Sequence, residues 1–239
     1  MYRSIVIAVV VAVSGCATSS KQGAASAPVL ELAVRQVPGA GAEFASARDA
    51  FVGRLRAQPG VVADHELQAI FDLGVMGPPA TPVFTGMTQY ESLDAFKAAG
   101  AALGTAPEAR AFFATFKPVV FTVLRPLDSA TSVDLAKMVK PGQVLELAVR
   151  DLSKYDTFDA AAYARARDAF LALLARQPGV VAEYQWVSAL DPNLVVGMTV
   201  YESAEAFQRV AAGPVMGAPE TKAFFAWPPT HGFVHSVVR

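Results

Sequence analysis

The chain is 239 residues long, 53% hydrophobic and 17% charged, with a formal net charge of −1. That composition supports a buried core, excludes a disordered chain, and leaves no basic field for nucleic acid or an anionic membrane surface. A single cysteine excludes a disulfide framework and a multi-thiolate metal site.

The first segment, MYRSIVIAVVVAVSG, has one arginine, an apolar run from Ile5 to Val13 and small residues after it, which predicts a secretory signal over residues 1–15. Val13-Ser14-Gly15-Cys16 resembles the bacterial lipobox. The resemblance implies that Cys16 is lipidated and anchors the protein to a membrane in the bacterial cell envelope; Ala17 next to it points to the periplasmic face of the outer membrane. Residues 16–28, small and polar, then serve as a flexible tether.

From residue 29 onward the same blocks occur twice in the same order. VLELAVR at 29–35 returns at 144–150, ARDAF at 47–51 returns at 166–170, GMTQYES at 86–92 returns as GMTVYES at 197–203, and APEARAFFA at 106–114 returns as APETKAFFA at 218–226. The expected units are residues 29–126 and 143–239, joined by a linker over 127–142.

Within each unit the elements follow in turn. Leu30, Leu32 and Val34 alternate with Glu31, Ala33 and Arg35, the period of a strand. Phe44, Phe51, Val52 and Leu55, repeated as Tyr163, Phe170, Leu171 and Leu174, form one face of a helix stopped by Pro59-Gly60 or Pro178-Gly179. A second strand begins at Val61 and Val180, and GMTQY and GMTVY make a third. Ser92 and Ser203 cap a second helix, Pro107 and Pro219 open a short helical turn, and VVFTVLR and FVHSVVR are the last strands. The copies differ most in two connections, longer around 74–84 in the first and around 151–159 in the second.

Each unit therefore reads β-α-β-β-α-β, an α+β arrangement. This order, with the Y-E-S-x-x-A-F turn into the second helix, resembles the dimeric α/β barrel superfamily and, within it, the antibiotic-biosynthesis-monooxygenase-like domains. The resemblance implies two ferredoxin-like units packed as an intramolecular dimeric α/β barrel, one chain standing in for a homodimer. Strands such as VVFTVLR, apolar on both sides, call independently for a cover on each face of the sheet.

Chemistry has few candidates. If the leucines face the helices, Glu31 and Glu146 face the barrel interior, where a buried carboxylate with a raised pKa is a general base; the alternative is a pairing with Arg35 or Arg150. His65 lies on the second strand where the other copy has Tyr184, and His235 aligns with Phe121, a packing slot. Tyr184 and Trp186 share a strand face, and with His65 and His235 they are the candidate ligand-binding residues; as core aromatics they would simply pack. No metal site is expected. The resemblance also raises haem as a cofactor, but the second helices lack the histidine with which haem-handling relatives hold it. No GxGxxG, P-loop, GxSxG, HExxH or CxxC motif occurs. The resulting expectation is a membrane-anchored lipoprotein with a non-catalytic binding or envelope-associated role, taking a small apolar ligand or a protein partner and no nucleic acid. The alternative is a cofactor-independent monooxygenase-like enzyme acting in the barrel cavity through Glu31 or Glu146.

Overall fold

Alternation along the strands decides what the barrel encloses. The computed structural model describes residues 27–39, 41–128 and 131–238; the expected signal segment, Cys16 and the expected tether as far as residue 26 lie outside the described residues. The first half runs β1 (Val29–Gln36), α1 (Gly41–Arg56), β2 (Val61–Asp72), β3 (Val83–Tyr90), α2 (Leu93–Leu103), α3 (Pro107–Phe113) and β4 (Lys117–Pro126). A connector containing α4 (Leu135–Met138) leads to β5 (Val144–Asp151), α5 (Ala160–Leu174), β6 (Val180–Ser188), β7 (Leu194–Tyr201), α6 (Ala204–Ala211), α7 (Pro219–Phe224) and β8 (His231–Val237).

All eight strands pair antiparallel and close into one barrel in the order β1-β3-β2-β8-β5-β7-β6-β4. Two seams, β2 with β8 and β4 with β6, join the halves. Leu30, Leu32 and Val34 from β1 share a single buried cluster with Leu145, Leu147 and Val149 from β5, joined by Met87, Met198, Trp186 and Phe233. A cluster drawn from strands of both halves is the barrel interior, so the leucine faces point inward and the glutamate faces point outward beneath the helices. This reverses the orientation expected from the sequence. The interior is lined by these buried apolar side chains.

Local signals behave as their chemistry requires. Ser92 Oγ accepts from the Ala95 amide at 3.1 Å and Ser203 Oγ from the Ala206 amide at 3.3 Å, capping α2 and α6. Gly60 and Gly179 take φ of 80° and 92° just past α1 and α5, conformations that side-chain-bearing residues adopt only at a cost. The connector does more than join. Val133, Leu135, Met138 and Val139 enter the interior cluster. Gln89 fixes them there, donating to the Val133 carbonyl at 3.0 Å and accepting from the Leu135 amide at 2.8 Å.

Strand register also corrects an alignment. Leu30 pairs with Leu124, and its counterpart Leu145 pairs with His235, so His235 occupies the slot of Leu124 rather than Phe121. Phe121 is half exposed, whereas His235 is fully buried and bonded through Nε2 to Thr85 Oγ1 at 2.8 Å.

Candidate functional site

The outer face of each half carries the same row across three strands. Glu31, Thr88 and Asp64 are cross-strand partners on β1, β3 and β2; Glu146, Thr199 and Glu183 are their equivalents on β5, β7 and β6. In both halves a tyrosine on the third strand donates to the first glutamate, Tyr90 to Glu31 Oε2 at 2.8 Å and Tyr201 to Glu146 Oε2 at 2.7 Å. Burial raises both glutamates above the usual carboxylate range, against the opposing effect of the tyrosine hydrogen bonds. Neither glutamate forms an ion pair with Arg35 or Arg150, the pairing considered from sequence: Arg35 binds Glu66, and Arg150 Nε donates to the Trp227 carbonyl at 2.8 Å with its guanidinium 4.2 Å from the Phe224 ring centre.

What surrounds the row differs between halves. In the first, an ionic ladder fills the space between sheet and helices. Arg35 donates to both oxygens of Glu66 at 2.8 and 3.1 Å, Arg48 to Glu66 at 2.5 Å and to Asp64 at 2.8 Å, and Arg56 Nε to Asp64 at 2.7 Å. Arg35, Arg48, Glu66 and Asp64 are all buried, and each buried charge meets an opposite one, the condition for tolerating charge out of water. Phe44, Phe112 and Phe116 crowd the Arg35 guanidinium. Gly86 makes this possible: a Cβ there would lie 2.3 Å from Arg35 Nη2.

The second half has the same row without the ladder. Gln185 stands where Glu66 stands, Ala175 replaces Arg56, and Arg167, the counterpart of Arg48, turns to Asp168 at 2.7 Å. Glu183 thus loses the cations that hold Asp64. Its carboxyl oxygens are buried, and burial together with the Glu146 carboxyl pushes its pKa up to about 8, against the opposing effect of the Thr199 hydroxyl. In place of the ladder there is a cavity of about 970 Å³, floored by Ala148 and Gly197, walled by Phe170, Leu174, Phe207 and Phe224, and edged by Glu146, Arg150, Gln185, Thr199 and Tyr201. Such a volume takes a drug-sized molecule, and a largely apolar lining with several aromatic rings and a few polar groups suits a flat ligand. Glu146 lines the cavity, with Glu183 behind it across Thr199. Burial raises both carboxyls of the pair, and Glu146, on the cavity wall, is the one placed to exchange a proton with a ligand.

The sequence-derived candidates separate accordingly. Glu146 is on the cavity wall and Glu31 is in the packed layer of the first half. His65, Tyr184, Trp186 and His235 all point into the barrel interior, away from the cavity. Tyr184 stacks on Trp186 at 6.3 Å, and burial lowers His235 to about 4, so it packs as a neutral ring. Sequence reasoning missed Tyr201, Glu183, Gln185 and the buried Arg48. Arg48 was findable: it lies four residues after Phe44 and four before Val52, on the core face of α1.

No described protein family matches the chain, and no curated protein matches it. Solved structures do. An anthrone oxidase-like protein superposes with a TM-score of 0.57 at 12% identity, covering 88% of this chain and 92% of its own. A chlorite dismutase variant from Candidatus Nitrospira defluvii gives 0.53 at 10% identity, over 90% and 92% of the two chains. A provisionally described monooxygenase from Fusobacterium nucleatum gives 0.52 at 10% identity, over 90% and 94%. The likeness is one of fold. The chain shares with these proteins an α+β architecture built on a closed eight-stranded antiparallel barrel.

The comparisons correct the expectation of a non-catalytic binding or envelope-associated module. The structures sharing this fold bear enzyme names, and the cavity with its carboxyl pair gives the chain a place for chemistry, so the enzyme alternative is the better supported. The lining does not suit haem: its one histidine, His231, stands exposed at the rim on β8, and α5, α6 and α7 bring no histidine to the cavity. No step is therefore derived through that group.

Proposed function

We propose that the chain is a cofactor-independent, oxygenase-type enzyme whose reaction takes place in the cavity between barrel and helices of the second half. The observation that carries this reading is the buried carboxyl pair of Glu146 and Glu183 beside an apolar cavity, with Glu146 on its wall and held by Tyr201. The fitting substrate is a flat aromatic compound with an acidic methylene, the class to which an anthrone belongs. Glu146 removes a methylene proton, and Tyr201 and the cavity walls hold the resulting anion away from water. The anion reduces dioxygen; one oxygen atom forms the product ketone, and the other leaves as water with the two methylene hydrogens. The substrate itself supplies all the electrons.

The finer architecture belongs to the same proposal: two ferredoxin-like units, residues 29–126 and 143–239, packed as an intramolecular dimeric α/β barrel. Lipid anchorage through Cys16 to the outer membrane is a separate part of it, and a Cys16→Ser chain that still fractionates with membranes would refute the anchor. For the reaction, the test is oxygen uptake with an anthrone as substrate. The wild type is expected to consume one dioxygen per ketone formed, faster than the uncatalysed oxidation, and Glu146→Gln to lose about 100-fold or more, the range of general-base contributions. Uptake no faster than the uncatalysed rate, or a fully active Glu146→Gln, overturns the reading.

A further inference from the structure

The cavity of the second half has one wall made by the first. Phe71 and Asp72 at the end of β2 and residues 73–76 beyond it reach across the β2–β8 seam and line it. This stretch belongs to the longer of the two equivalent connections: residues 73–82 join β2 to β3, against 189–193 between β6 and β7.

The stretch is a built hairpin. The Asp72 amide donates to the Gly77 carbonyl at 2.7 Å, the Gly77 amide returns the bond at 3.3 Å, and the Asp72 carboxylate accepts from the Gly74 amide at 2.8 Å. Its base is pinned to the second half: the Leu73 amide donates to the Gly232 carbonyl at 3.0 Å, and the Leu73 side chain occupies the space that a Cβ on Gly232 would fill, 2.7 Å away. Its tip is unusual in two ways. Val75 is 66% and Met76 69% exposed, and Met76 has φ of 53°, a left-handed conformation that costs an unbranched L residue about 1 kcal/mol. An apolar, strained tip gains nothing from its own fold in that position. Beside an aromatic cavity it gains apolar area from whatever fills the cavity.

We propose that the 72–77 hairpin is the specificity-determining wall of the site, with Val75 and Met76 selecting ligands by the length of their fused-ring system. Both loops that distinguish the repeats then serve one cavity: in the second, the Tyr155 hydroxyl donates to the carbonyl of Pro228, itself a lining residue. A ligand of two rings rests on the barrel floor and the helices alone; a third ring reaches the hairpin tip.

The proposal rests on the cavity being the ligand site, and its test is kept apart from the reaction. Fluorescent 1-aminonaphthalene and 1-aminoanthracene are titrated against the full chain, the Val75→Ser/Met76→Asn double variant and Gly232→Ala. Asparagine tolerates the left-handed conformation, so the double variant removes apolar surface while keeping the turn. The double variant is expected to bind the three-ring probe about tenfold more weakly and the two-ring probe as the wild type does, from the ring area left uncovered. Gly232→Ala, which displaces Leu73 without touching the tip, should shift the three-ring probe in the same direction. Equal binding of the three-ring probe by wild type and double variant, an equal loss for both probes, or no binding of it by the wild type overturns the proposal. Probe selection as expected with no oxygen uptake leaves the hairpin standing and refutes the reaction alone.

Discussion

At the scale of single residues, the two halves differ by a handful of charges. Glu66 in the first half receives two arginines; removing it by Glu66→Ala leaves Arg35 buried without its carboxylate and Arg48 with Asp64 in its place, a loss of about 3–5 kcal/mol in urea denaturation. Glu183 in the second half is the opposite case. It ionises at about 8 in the folded chain, against roughly 4.3 in an unfolded one. The folded state therefore holds this proton longer, so the group's stabilising contribution is complete below the unfolded value and is lost as pH rises through about 8. Glu183→Gln should flatten that fall, making the variant more stable than the wild type above pH 8 by on the order of a few kcal/mol. A variant whose stability follows the wild-type pH profile throughout would show that Glu183 is not held protonated. The divergence between Asp64-His65-Glu66 and Glu183-Tyr184-Gln185 was visible in the sequence, and the central pair drew the eye as the more chemical one. The flanking residues matter more because in a strand they share the face opposite the central one, and only that face meets the helices.

At the scale of elements, strand order, helix stops and caps were legible because each has a local cause: alternation, Pro-Gly, a serine hydroxyl. Which face of β1 turns inward was not. Both of its faces are buried, leucines in the barrel and Glu31 and Arg35 under helices, so alternation alone leaves the direction open. The third strands make the difference between the layers testable. A Cβ on Gly86 would collide with Arg35, whereas one on Gly197 would lie 3.3 Å from the end of the Gln185 side chain at the cavity floor. Gly86→Ala is thus expected to cost about 1–3 kcal/mol of stability, as overpacking does. Gly197→Ala is expected to unfold much as the wild type does while binding 1-aminoanthracene more weakly. If the two substitutions proved equally destabilising, the asymmetry of the layers would be wrong.

At the scale of the whole molecule, closure joins everything. Each half ends its sheet on a strand of the other, at β2 with β8 and β4 with β6, and the connector packs into the shared interior. One cooperative unfolding transition is expected, and Gln89→Ala, which leaves the buried Val133 carbonyl and Leu135 amide without their partner, should move it by about 2 kcal/mol without splitting it. Two resolved transitions would mean that the halves stand independently. The barrel interior is common property, because a substitution there is felt by both halves at once. The layers outside it are private. In a symmetric pair of identical chains every change to one cleft is copied into the other, and the ladder that steadies the fold cannot be given up in one place and kept elsewhere. A chain that carries both clefts in tandem is released from that symmetry: one can remain ballast while the other is free to change what it holds.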